Sequence, residues 1–137
     1  MIDAEHLARL PARSEKGLLH AFIECPKGNT HKIDLDKKLG IFRWALELPE
    51  GLTFPTNFGF IPATMAPDGD ALDVLVLTGE IERLDQLRPT MLWELGVFFE
   101  VYNRLIDRKV EILEPGDEKY AVELAEKAIA AKQDRNG

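Results

Sequence analysis

A single cysteine, Cys25, stands in the 137 residues, so the chain can form no internal disulfide and offers no cysteine pair for zinc. Its thiol is expected to serve as a small, half-buried hydrophobe. Long apolar runs are also missing. No stretch approaches the ~20 apolar residues of a membrane span. Residues 1–17 mix charged and apolar side chains without the unbroken apolar centre of a secretory signal. A cytoplasmic location without a membrane partner is therefore expected. Positive charge is scarce: 17 Lys and Arg face 24 Asp and Glu, for a formal charge of −7. Such a field repels polyanions, which removes nucleic acid from the expected partners. A phosphate ligand must then be small or arrive with metal. Internal repeats and low-complexity tracts are absent, and His6, His20 and His31 have no neighbour at ligand spacing.

What is present is an ordinary globular composition, 45% hydrophobic and 30% charged, in a chain of single-domain size. Residues 1–17 read as a polar lead-in with a short helix over 4–10 that stops at Pro11. From Leu18 the apolar period becomes two, as a half-buried strand requires over 18–24. The same alternation marks 32–36 and, after Gly40, 41–48, so consecutive antiparallel strands are expected. Pro49, Gly51, Pro55, Gly59 and Pro62 then punctuate a loop with a short extended piece at 58–61. Residues 72–77 are almost wholly apolar and predict a strand buried on both faces. Further strands fit 90–99 and 109–113. Asp117 can cap a closing helix over 117–135, with Ala121, Leu124, Ala125 and Ala128 on one stripe. The expected fold is mainly β within the α+β class. It consists of a small closed barrel over 18–113 with one amphipathic helix packed on it.

Chemistry concentrates in Asp68-Gly69-Asp70-Ala71-Leu72-Asp73. Three carboxylates within six residues repel one another unless a cation lies between them. Oxygen-only ligands suit Mg²⁺, Mn²⁺ or Ca²⁺ rather than zinc. An EF-hand fails on spacing, because its sixth and twelfth positions would be Asp73 and Gly79 instead of Gly and Glu. Glu24, Lys32, Asp34, Asp107 and Lys109 fall at strand ends or turns and can converge on one rim of a barrel. Carboxylates that gather metal, beside lysines that neutralise phosphate oxygens, are what metal-assisted phosphoryl hydrolysis needs. Trp44, Trp93, Phe98 and Phe99 are read as core or subunit contact, not as a platform for stacking bases.

The order of these pieces carries a resemblance. Ile23-Glu24-Cys25-Pro26 is followed by Lys32-Ile33-Asp34, then by Phe54-Pro55-Thr56-Asn57-Phe58-Gly59-Phe60-Ile61-Pro62. Asp68-Gly69-Asp70-Ala71-Leu72-Asp73-Val74-Leu75-Val76 and Asp107-Arg108-Lys109 complete the series. Together they resemble the soluble, Mg²⁺-dependent inorganic pyrophosphatases of the first family. The resemblance implies a five-stranded, OB-like barrel with the site at one mouth, a homo-oligomer, and hydrolysis of pyrophosphate to two phosphates with Mg²⁺ or Mn²⁺. It also implies that Asp68, Asp73 and Asp107 bind the activating metal, that Asp70 orients and deprotonates water, and that Glu24 holds a substrate-borne metal. Lys32 and Lys109 would grip phosphate, and Asp34 stands for a family Glu.

The sequence departs from that pattern at several positions. Phe58 replaces a tyrosine, Tyr102 falls by ungapped counting on a metal-binding aspartate, and Leu46 occupies the place of a phosphate-binding arginine, with Arg43 three residues away as its substitute. A Tyr-Lys pair near the C-terminus is matched only by the reversed Lys119-Tyr120. Two rival readings follow: a non-catalytic relative that binds metal and phosphate or a nucleotide, and a hydrolase of another phosphoanhydride.

Overall fold

The structure is a computed structural model that describes residues 6, 9–77 and 83–136. The helix expected over 4–10 lies mostly outside the described residues. Five strands come first: β1 (Phe22–Cys25), β2 (His31–Asp36), β3 (Ile41–Glu47), β4 (Asn57–Phe60) and β5 (Asp73–Val76). A single 3-10 turn, Leu84–Gln86, leads into α1 (Pro89–Leu105), and α2 (Glu118–Asn136) closes the chain.

The strands form two antiparallel sheets. β4 lies between β1 and β5, while β2 and β3 make a separate hairpin. The closed five-stranded barrel expected from the sequence does not form among the described residues, because β3 pairs only with β2 and β5 only with β4. Gly59 sets the spacing of the three-stranded sheet. A Cβ there would run into the Phe22 carbonyl of β1, so only glycine lets the two backbones approach this closely. Nor is β5 buried on both faces: Asp73 is exposed and Val74, Leu75 and Val76 are half-buried.

The largest correction concerns residues 90–99, which are helical and not a strand. Their bulky residues favour a strand by propensity, but Met91, Leu95, Phe98, Phe99 and Tyr102 recur at three- and four-residue steps, and all are buried or half-buried. Pro89 at the first turn suits a helix start, where its missing N–H is not needed. Trp93, Val97, Val101 and Leu105, four residues apart, form an exposed stripe on the opposite face. The helix ends in a Schellman motif: Arg108 N donates to Asn103 O (2.8 Å) and Asp107 N to Arg104 O (3.1 Å). Asp107 takes the left-handed conformation this motif requires, at φ 54°. The strand expected at 109–113 is absent, and those residues are exposed without regular structure.

Cys25, Leu48, Phe54, Phe58 and Phe98 form the centre of the core, with Ile33, Leu46, Leu75, Phe99 and Tyr102 packed around it. Cys25 is fully buried, not half-buried. Its sulfur accepts from Ile33 N (3.3 Å) and donates to Ile33 O (3.4 Å), tying β1 to β2 where no ladder joins them. α2 begins as expected at an Asp117 cap, which accepts from Tyr120 N at 2.9 Å. Of its predicted stripe, Ala125 and Ala128 are buried while Ala121 and Leu124 are exposed. Those two small residues let the loop before Asp68 lie directly on the helix, with Met65 N donating to Ala128 O at 2.9 Å. The helix thereby supports the loop that carries the acidic cluster.

Candidate active site

A cleft of about 880 Å³ opens between the two sheets and α1. One bulge aims a side chain into it. The β1–β4 register shifts between Ile23 and Cys25, so Glu24 is the extra, unpaired residue of β1. Its side chain crosses to β2 and accepts from Leu35 N at 2.9 Å.

Lys32 and Asp34 lie two residues apart on β2 and so share a face. Lys32 is buried, forms an ion pair with Asp34, and has its Nζ 3.8 Å from Glu24 Oε2 and 5.0 Å from the centroid of the Phe58 ring. Burial alone would push the Lys32 pKa down. The hydrogen bond to Asp34 and the charges of Glu24 and Asp34 outweigh it, and the pKa ends above its ordinary value.

The acidic loop is a tight turn built on its own backbone. Ala66 N donates to Asp70 O (2.7 Å), Gly69 N to Ala66 O (2.9 Å) and Asp70 N to the Asp68 carboxylate (3.0 Å), with Gly69 left-handed at φ 88°. Buried Thr64 anchors it, receiving Leu72 N at 2.9 Å. Asp68, Asp70 and Asp73 all line the cleft.

The cleft thus brings together Glu24, Lys32, Asp34, Asp68, Asp70 and Asp73. Arg43, Asp107 and Lys109 are not among its lining residues. Arg43 is exposed on β3, 3.4 Å from Asp36. Asp107 serves the end of α1, and Lys109 lies in the exposed segment beyond. The cleft also takes in Lys37, Lys38, Phe99, Asn103 and Arg108, to which the sequence reading assigned no site role, and Tyr102, which ungapped counting set on a metal-binding position. Lys37 and Lys38 sit in the β2–β3 turn, where Asp36 accepts from the backbone N–H groups of Lys38 and Leu39 (3.0 Å each). Burial pushes the Lys37 pKa down, and its ammonium lies 4.3 Å from the Phe60 ring centroid. Leu46 faces Lys32 across the β2–β3 ladder and packs on the core, which explains an apolar residue at that place.

Six carboxylates, including Asp36, and four cationic groups line this cleft. The strain of that balance falls on Asp73. Desolvation raises its pKa first, Lys32 lowers it, and Glu24, Asp68 and Asp70 raise it again, leaving it above the usual carboxylate range. Asp73 remains open to solvent at the cleft mouth, but the surrounding protein still displaces enough water to disfavour its charge. All these donors are oxygens, the kind that suits a hard divalent cation. Among the described residues, however, no three His, Cys, Asp or Glu groups converge to hold an ion. The cluster is a loose acidic lining, not a closed cage.

A carboxyl whose native pKa lies above its unfolded value favours folding only while protonated, and that contribution is lost as pH rises through the native pKa. At neutral pH the ionised Asp73 is therefore a net cost in the metal-free protein. Asp73→Asn should raise the melting temperature at pH 7 in chelator. The gain should shrink as pH falls toward the ordinary carboxylate pKa of about 3.9. Calorimetry across that range would show a pH-independent difference if crowding of charge were not the cause.

A family model described as "Inorganic pyrophosphatase" matches residues 21–82, the stretch that builds both sheets and the acidic loop. Residues 21–82 are thus similar to the inorganic pyrophosphatase family. The inorganic pyrophosphatase of Synechocystis sp. is 39% identical over 71 residues, 52% of this chain and 42% of that protein. The matched stretch thus spans about two-fifths of such a relative's length. The inorganic pyrophosphatase of Methanosarcina acetivorans is 28% identical over 140 positions, 73% of this chain and 83% of that protein. Since 73% of 137 residues is about 100, about 40 of those 140 positions have no counterpart here. The structure of inorganic pyrophosphatase from Thermus thermophilus superposes with a TM-score of 0.79 at 25% identity, over 93% of this chain and 98% of that one. Family likeness of fold therefore continues through the helices, beyond the residues the family model matches. No helix among the described residues is long and apolar enough to cross a membrane.

Proposed function

We propose that this chain hydrolyses inorganic pyrophosphate to two phosphates with a divalent cation, Mg²⁺ or Mn²⁺, acting in the cytoplasm as a homo-oligomer. The observation that carries the reading is one cleft in which Asp68, Asp70, Asp73 and Glu24 meet Lys32, Lys37, Lys38 and Arg108. Asp68 and Asp73, with Glu24, form no cage as they stand and would have to close on the cation, which when bound supplies Lewis acidity toward phosphoryl oxygens and neutralises charge.

Asp70 is the base. Water attacks one phosphorus as its proton passes to Asp70, and the bond from that phosphorus to the bridging oxygen breaks. Lys32, Lys37 and Arg108 meet the charge of the departing phosphate. Asp107 and Lys109, given site roles by resemblance, are replaced in this scheme by Arg108 and the turn lysines. The exposed stripe Trp93, Val97, Val101 and Leu105 on α1 supports association between copies, which sedimentation velocity would read.

The deciding experiment measures phosphate release from pyrophosphate with Mg²⁺ and with chelator. Release confined to Mg²⁺ is expected, together with a melting temperature that climbs with Mg²⁺ as RT ln(1 + [L]/Kd). The second reading, a relative that binds without turnover, is favoured by the absence of Arg43, Asp107 and Lys109 from the cleft lining. A Mg²⁺-dependent melting shift without phosphate release would establish it.

A further inference from the structure

The cleft is larger and greasier than inorganic pyrophosphate requires. Its volume of about 880 Å³ falls within the range of roughly 300–1,000 Å³ typical of sites for drug-sized organic ligands. Pyrophosphate is two phosphoryl groups without a carbon atom. Charged groups supply one part of the lining. Leu35, Phe58, Phe60, Phe99, Tyr102 and Val110 supply another.

Part of that apolar wall is open. Phe58 and Phe60 are buried, but Phe99 and Tyr102, though packed against the core, are only half-buried. Their rings are held by aromatic neighbours: Phe99 lies 5.9 Å from Phe58, and Tyr102 is stacked on Phe98 at 6.1 Å and 9°. Buried Asn103 adds a polar group at the same wall, and its amide donates to Phe99 O at 2.6 Å. Lys32, 5.0 Å from the Phe58 ring centroid, marks where the charged and aromatic parts meet. A doubly phosphorylated group at Lys32 therefore leaves room for a ring against Phe99 and Tyr102.

We propose that the cleft accepts a phosphoanhydride carrying an aromatic ring, of the nucleoside diphosphate class, with the anhydride at the charged end and the base against Phe99 and Tyr102. The proposal rests on the reading of the cleft as a phosphate site and specifies its substrate class. Hydrolysis then adds water across the P–O–P bond, giving a nucleoside monophosphate, inorganic phosphate and a proton.

Titration calorimetry of the full chain in Mg²⁺ compares adenosine diphosphate, geranyl diphosphate and pyrophosphate. Stacking of a base on these half-buried rings should favour adenosine diphosphate over pyrophosphate by about tenfold, and Phe99→Leu should reduce that ratio. Two results overturn the aromatic assignment alone: pyrophosphate binding as tightly as adenosine diphosphate, or geranyl diphosphate binding better than both. A preference for adenosine diphosphate unchanged in a folded Phe99→Leu protein, checked by its melting curve, would overturn the placement of the base. Absence of binding by all three would sink the phosphate-site reading itself.

Discussion

Replacing Lys32 by methionine should cost about 3 kcal/mol of folding stability, the lower end of the range for breaking a buried ion pair from one side. Methionine matches the length and apolar stem of lysine, so little packing is lost. What is lost is the ammonium between Asp34 and Glu24. Asp34 is half exposed and water can take over, whereas the Glu24 side chain is only 11% exposed and, among the described residues, keeps the Leu35 N–H as its one hydrogen bond. The uncompensated charge at Glu24 dominates the cost. Adding Glu24→Gln to Lys32→Met should restore much of the loss, since the coupling belongs to the pair. Because the Lys32 pKa is raised, the pair contributes throughout the physiological range and is lost only as pH climbs past its ordinary value, about 10.4. Urea unfolding of the two single variants and the double variant at pH 7 checks this. Additive losses would mean that Glu24 does not depend on Lys32.

Legibility in the sequence followed the range of the forces involved. β2 and β3 were readable because alternation of Ile33, Leu35 and their charged neighbours is a local pattern set by one buried face. The acidic loop was readable because its turn is closed by its own residues, from Ala66 to Asp70. The helix over 89–105 was not, since Trp93, Val97, Phe98 and Phe99 favour a strand by local propensity while tertiary burial of one helical stripe decides the outcome. The barrel expectation fell with it, as a predicted strand was no longer there to close the sheet. Asn103 and Arg108 could not be assigned to the cleft for the same reason. Their place depends on where α1 crosses the sheets, and its three- and four-residue spacing was the available signal. Asp107 looked like a ligand by its company, yet its observed part is a backbone one at the end of α1. Lys37 and Lys38 were passed over as turn residues, although the tight turn at Asp36 is what carries them to the cleft.

Asp70→Asn should lower pyrophosphate turnover by a factor on the order of 10²–10⁴, the usual contribution of a positioned general base. The two aspartates of the turn are not equivalent. Asp68 already accepts from Asp70 N, so one of its oxygens is committed to the loop. The Asp70 carboxylate makes no hydrogen bond among the described residues and faces the cleft, which leaves it available to a water molecule. The turn itself depends on the Asp70 main chain, through its N–H to Asp68 and its carbonyl to Ala66 N. Asparagine preserves both of those bonds and the side-chain volume, so the fold and the Mg²⁺-dependent melting shift should largely persist. Turnover should fall because an amide cannot take the proton. Asp68→Asn predicts a different signature, in which the Mg²⁺ concentration needed for half-maximal activity rises, since one cation ligand loses its charge. Phosphate release that is indifferent to Asp70→Asn would remove Asp70 as the base. Loss of the melting shift together with activity would make it a cation ligand instead.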